Sequence, residues 1–243
     1  MSRLLRGLLV LSPFLIHAAR AGEPTADWVE LTAGGLSAWK KPTGDWVVAG
    51  QVGLKPDDPK HLVYEKGEGI LVNGPTGRTV NIVTIESFSA IEAHVEFLVP
   101  KGSNAGVKFE GLYEVQIFDS FGVKTPKASD CGGIYPRAEL LPNYHYLDEG
   151  YPPKVNAAKP PGEWQTLDVV FHSPCFDADN KKVANARFDK VVLNGQVVQE
   201  GVELASPTGH FWKRKELAAA PLLLQADHGP VAFRNVRVRP LGP

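Results

Sequence analysis

The chain has 243 residues, 43% of them hydrophobic and 22% charged, enough to bury a full core and of a length that fits one large all-β domain or two small ones. Its formal net charge of −1 gives no electrostatic case for nucleic acid or an anionic membrane as partner. Glycine (24) and proline (20) are plentiful and long apolar periodic stretches are few, which points to many turns and short strands.

The first residues, MSRLLRGLLVLSPFLIHAARA, carry basic Arg3 and Arg6, an apolar run from Leu8 to Ile16, and Ala19-Arg20-Ala21 before Gly22. That is the layout of a secretory signal peptide, residues 1–21, with cleavage expected after Ala21. Pro13 and the shortness of the run argue against a permanent membrane span. A periplasmic or secreted protein is therefore expected, free of the membrane after cleavage, with residues 22–243 as a single domain. Export permits a disulfide, and there are two cysteines, Cys131 and Cys175; a bridge and two unpaired thiols both remain open. No Cys or His pair has zinc-site spacing. No cofactor is expected, and whether a metal is needed stays open.

In chain order, DWVVAG (45–50), GILVN (69–73) and TVNIVTI (79–85) read as short strands. SAIEAHVEFLVP then places Ile91, Ala93, Val95, Phe97 and Val99 on one face and Glu92, His94 and Glu96 on the other. NAGVKFEG sets Val107 and Phe109 against Lys108 and Glu110, and after a turn at Glu110-Gly111 the strand GLYEVQIFDS follows. In it Tyr113, Val115 and Ile117 alternate with Glu114, Gln116 and Phe118. Residues 122–162 are rich in Pro, Tyr, Lys and Asn and lack either period, and an ordered segment of that length is usually functional. WQTLDVVF resumes the strands, ARFDKVVLNGQVVQEGVEL is a hairpin around Asn194-Gly195, and PLLLQADHGPVAFRNVRVRP gives two strands joined at His228-Gly229-Pro230. The stretch FWKRKELAAA (211–220) has room for about two helical turns. Many short strands with turn signals between them predict a sandwich of two antiparallel sheets.

The chemistry-bearing residues fall on the polar faces of these strands. Glu96, Lys108, Glu114 and Gln116 share one surface if their strands are neighbours; otherwise they form an ordinary solvated face. The long segment is placed to fold over that face and supply Tyr135, Arg137, His145 and Asn156. The penultimate strand adds Gln225, Asp227 and His228, and an imidazole at a strand end suits proton transfer. Trp164, Tyr135, Tyr151 and Trp212 are candidate platforms for sugar rings. The acidic run FDADN (176–180) is a weak calcium candidate that reads more readily as a turn. There is no nucleophile elbow and no phosphate-binding loop.

NAGVKFEGLYEVQIFDS, CGGIYP, NAAKPPGEWQTLDVVFHSPCFD, LNGQVVQEGVEL and LLLQADHGPVAFRNVRVRPL closely resemble the 3-keto-disaccharide hydrolase family, over about Trp39 to Leu241. The resemblance implies a concanavalin-like β-jelly roll, an all-β sandwich of two curved antiparallel sheets. It also implies a small carbohydrate substrate whose sugar is a ketone at carbon 3. Such a ketone acidifies the carbon-2 proton, so a base removes it, the glycosidic oxygen leaves carbon 1, and water adds back. On that basis Glu114 or His228 is the expected base, and Lys108, Gln116 or Arg137 the expected enolate partner. Glu96, Tyr135, Asn156, Trp164 and Gln225 complete the expected substrate contacts.

Glu114 to Asp119 also looks like the active strand of jelly-roll β-glucanases, with Gln116 replacing its central Asp and Asp119 its last Glu. Glu114 and Asp119 have opposite parity, which does not suit a retaining carboxylate pair about 5–5.5 Å apart. The readings of another class are a non-catalytic carbohydrate-binding module and a calcium-dependent lectin.

Overall fold

The computed structural model describes residues 27–242, so the signal-peptide expectation lies outside the described residues. In chain order the strands are β1 (Val29–Glu30), β2 (Val47–Lys55), β3 (Asp58–Val72), β4 (Ile82–Val83), β5 (Ile91–Leu98), β6 (Asn104–Phe109), β7 (Tyr113–Phe118) and β8 (Ala138–Glu139). They continue as β9 (His145–Tyr146), β10 (Gln165–His172), β11 (Cys175–Phe176), β12 (Lys182–Ala184), β13 (Ala186–Leu193), β14 (Gln196–Leu204), β15 (Leu223–Gln225) and β16 (Ala232–Pro240). One antiparallel sheet runs β14-β13-β10-β5-β16-β3-β2, with β1 on β16, and a smaller one runs β4-β15-β6-β7. The ribbons β8-β9 and β11-β12 stand apart. The protein is an all-β jelly-roll sandwich.

Strict alternation decides which faces meet. From the small sheet, β6 contributes Ala105, Val107 and Phe109 and β7 contributes Tyr113, Val115 and Ile117; the large sheet answers with Ala93, Val95 and Phe97 on β5 and Leu167, Val169 and Phe171 on β10, all buried in one cluster. The Phe109 ring spans the layers, its centroid 5.0 Å from that of Phe171 and 5.4 Å from that of Phe188. Each Val, Leu, Ile or Phe side chain buried this fully contributes about 1.5–3 kcal/mol. Because the core takes the apolar half of β6 and β7, their polar half must face outward.

The outer face of the large sheet is a field of ion pairs. Glu96 receives Arg234 at 2.7 Å, Glu92 receives Arg239 at 2.8 Å, and His94 meets Asp168 at 2.6 Å. The hydrogen bond to Asp168 raises the His94 imidazole above its ordinary value.

Several expectations need correcting. β2 and β3 form a long hairpin turning at Pro56-Asp57, where sequence patterning showed two short strands. Both faces of the distal part of β3 are largely exposed, so it carries no alternation to read. The strand expected over 79–85 contracts to Ile82–Val83. Residues 211–220 form turns rather than helix, and no helix occurs among the described residues. The hairpin turn at Asn194-Gly195 is as expected, both residues having positive φ. Both cysteines are free thiols, Cys131 buried and Cys175 exposed, and burial pushes the Cys131 thiol up to about 12. In the FDADN run, Asp177 accepts from the backbone N–H groups of Asp179 and Lys181 at 3.0 and 2.9 Å, which makes it the β11-β12 turn.

The long irregular segment adds to the small sheet. Gln116 and the 132–133 backbone exchange two hydrogen bonds of 2.9 Å, and the Tyr135 N–H donates to the Glu114 carbonyl at 3.1 Å. The open edge of β7 is thereby covered, and the chain that follows is carried round to the outer, polar face.

Candidate active site

In the small sheet, antiparallel pairing places opposed residues on one face. The register aligns Leu223, Lys108 and Glu114 in one row and Gln225, Gly106 and Gln116 in the next, with Asn104 opposite Phe118 beyond. This outer face is the floor of a cavity of about 360 Å³, within the range for small-molecule sites. Tyr135, Leu140 and Tyr144 from the long segment form a wall, and His210 and His228 complete the lining.

At the centre, Lys108 Nζ lies 2.9 Å from Glu114 Oε2, and the two residues are only 6% and 3% exposed. A buried ion pair gives little or no net stability over apolar packing, so its place in mid-sheet points to chemistry. Gly106 makes the arrangement possible. A Cβ at that position would stand 2.5 Å from Glu114 Oε1 and 3.3 Å from Gln225 Oε1; the bare backbone lets both side chains lie across it. Gly106→Ala is therefore expected to displace the carboxylate and lower turnover by about tenfold to a hundredfold. Its thermal midpoint should stay close to that of the unaltered protein; full activity at the same stability would show that the carboxylate position is immaterial.

Around the pair, Gln116 Nε2 donates to Asn104 Oδ1 at 3.0 Å. Gln225 is 7% exposed and its Oε1 has no partner. His228 Nδ1 lies 2.6 Å from Asp227 Oδ1; with Nδ1–H donating to the carboxylate, Nε2 is left for the cleft. His210 sits against Phe211 with ring centroids 4.0 Å apart. Burial, then the charges of Lys108 and Arg214, hold its imidazole below the ordinary value, which keeps it neutral. The Tyr135 hydroxyl is within 3.0 Å of that of Tyr144 and 3.1 Å of that of Tyr146. Burial raises the Tyr135 phenol, so it stays protonated.

Of the ten residues expected as base, enolate partner or substrate contact, six are thus brought together: Lys108, Glu114, Gln116, Tyr135, Gln225 and His228. Four are not. Glu96 is held by Arg234 and Asn235 on the large sheet. Trp164 is covered by the Arg234 guanidinium, 4.0 Å from the ring centre. Asn156 donates to the carbonyls of Ser120 and Val123 and fastens the loop. Arg137, bonded to Asp148 through Nε at 2.6 Å, lines an adjoining cavity instead. Asp119, the other carboxylate of the glucanase comparison, accepts from the Gly102 N–H at 2.8 Å and serves a turn. Among the described lining residues Glu114 is the only carboxylate, so a retaining two-carboxylate arrangement has no second member. Among the described residues no three His, Cys, Asp or Glu side chains gather as metal ligands would.

Sequence reasoning missed His210, Asn104 and Tyr144. His210 lies in an aperiodic stretch beside the supposed helix, and only its neighbours in space distinguish it. A second buried carboxylate, Glu110, is pushed up to about 7 by burial, but it bonds Ser173 at the β6-β7 turn, outside the cleft.

Comparison of the sequence with curated proteins finds no match. Among solved structures, a candidate glycosyl hydrolase from Parabacteroides distasonis is similar at 25% identity and a TM-score of 0.65, covering 89% of this chain and 84% of its own. A second from the same organism is similar at 20% identity and a TM-score of 0.53, covering 89% of this chain and 100% of its own. The first likeness agrees with a carbohydrate-active, glycosyl-hydrolase-like protein, and the second shows the shared fold. A family model described as a 3-keto-alpha-glucoside-1,2-lyase-like domain matches residues 27–239, and the chain belongs to that family.

Proposed function

We propose that the protein cleaves 3-keto-glycosides and 3-keto-disaccharides by elimination followed by hydration. The observation that carries this reading is the buried Lys108–Glu114 pair on the cleft floor. A base and a cation side by side suit a substrate whose acidic C2–H and C3 carbonyl are adjacent. Glu114 Oε1 takes the C2 proton, and the electron pair moves into an enolate whose oxygen lies against the Lys108 ammonium. Collapse of the enolate breaks the C1–O bond, and His228, oriented by Asp227, acts as the general acid that gives the leaving oxygen its proton. In the second half, neutral His210 takes a proton from water as its oxygen bonds to C1. C2 recovers its proton from Glu114, and exchange with solvent resets the two imidazoles. Gln225 Oε1 is available to accept a sugar hydroxyl.

A non-catalytic binding module needs aromatics and amides but no base. Glu114 and His228 lining one cavity favours the enzyme. Incubation of the protein with plain and 3-keto disaccharides side by side, reading released sugar, tests the proposal. Cleavage of the keto forms alone is expected; cleavage of plain glucans would return the glucanase reading, and binding without cleavage the module. Export to the periplasm or medium, the other part of the proposal, rests on the N-terminal sequence.

A further inference from the structure

A second cavity, of about 400 Å³, adjoins the cleft. The two share Tyr135 as a wall, and Thr208 of the one is followed in the chain by Gly209 of the other. Its features differ from those of the first. Asp148 is committed to structure, accepting from Arg137 N at 3.1 Å, Arg137 Nε at 2.6 Å and Gly150 N at 3.0 Å. That fixes the guanidinium through Nε, with no Nη hydrogen bond to Asp148 beside it. Glu149 is exposed and makes none of the hydrogen bonds or ion pairs seen around it, so its carboxylate is free to accept hydroxyls. Tyr151 is 42% exposed yet held at both ends: its hydroxyl donates to the Glu203 carbonyl at 3.2 Å, and its backbone exchanges two 3.0 Å hydrogen bonds with Ile134. An aromatic ring so fixed offers a flat apolar face with little entropy to lose on binding.

We infer that this cavity is the subsite for the leaving sugar of the 3-keto-disaccharide, built from the fixed Tyr151 ring, the Arg137 guanidinium and the Glu149 carboxylate. The inference rests on the proposed reading of the cleft for which ring is oxidised and on the cavity for what the other ring touches. With the keto sugar over Lys108 and Glu114, the glycosidic bond crosses Tyr135, the second ring lies on Tyr151, and its hydroxyls face Glu149 and Arg137. Binding energy gathered there, away from the reacting carbons, fixes the first ring for proton transfer.

The test compares a 3-keto-glucosyl-glucose with methyl 3-keto-glucoside. The unaltered protein should favour the disaccharide in kcat/KM by at least about tenfold. Tyr151→Ala should cost the disaccharide about tenfold more than it costs the methyl glycoside. Glu149→Gln, an exposed change that leaves the fold alone, should act in the same direction more weakly. Equal kcat/KM for the two substrates, or equal losses on both in the variants, would overturn the subsite. If neither keto compound is cleaved, the hydrolase reading fails, and the subsite is then judged by calorimetry with the unoxidised disaccharide and methyl glucoside. A disaccharide advantage that Tyr151→Ala abolishes supports it, and equal affinities overturn it.

Discussion

Glu114→Gln is expected to lower turnover of a 3-keto-glycoside by about 10²–10⁴-fold, the usual contribution of a positioned base. The change is nearly isosteric, so the loss is one of chemistry, but it also leaves the Lys108 ammonium buried without its counter-charge. Removing one member of such a pair costs about 3–5 kcal/mol, and the variant should unfold at a lower temperature. A second variant separates the two effects. Lys108→Met with Glu114→Gln removes both charges, keeps the volume, and should recover most of the stability while staying inactive. Activity returning with stability would mean that the pair is structural, and turnover unchanged in Glu114→Gln would take the carboxylate out of the mechanism.

The same two residues show what the sequence could and could not disclose. The alternation in β6 and β7 was strong enough to assign Val107, Phe109, Val115 and Ile117 inward and Lys108, Glu114 and Gln116 outward, because a period of two leaves no other choice. It could not say which strand lies beside which. Glu96 obeys the same parity as Lys108 yet belongs to the other sheet, where Arg234 and Asn235 take up its oxygens; parity within a strand carries no information about partnership between strands. The long segment failed differently. Its Pro, Tyr and Asn content and lack of period mark it as a long irregular segment, but whether Tyr144 or Asn156 reaches the cleft depends on backbone bonds to β7 and on the tyrosine hydroxyl cluster, which no local pattern encodes. His210 was invisible for a related reason. Its character comes from burial and from Lys108 and Arg214, of which Lys108 is about a hundred positions away.

The two imidazoles are expected to fail in different halves of the reaction. His228→Ala should lower cleavage of a disaccharide by about 10²–10⁴-fold, because a sugar alkoxide is a poor leaving group without a proton. From a nitrophenyl 3-keto-glycoside the nitrophenolate leaves unaided, so on that substrate the same variant should lose less than about tenfold. Equal losses on the two substrates would remove His228 as the acid. His210→Ala should instead spare the elimination and slow water addition, so that the unsaturated ketone accumulates and absorbs in the ultraviolet. The sign of its pH dependence follows from its environment. Burial and the nearby cations shift the imidazole downward, so the neutral base persists below the ordinary value of about 6.5, and hydration should hold its rate through that pH, falling only in more acid solution. A hydration rate that falls at or above that ordinary value, or an enone that accumulates in His228→Ala instead, would reverse the assignment of the two histidines. Either result would leave the Lys108–Glu114 floor in place, since proton abstraction at C2 precedes both steps.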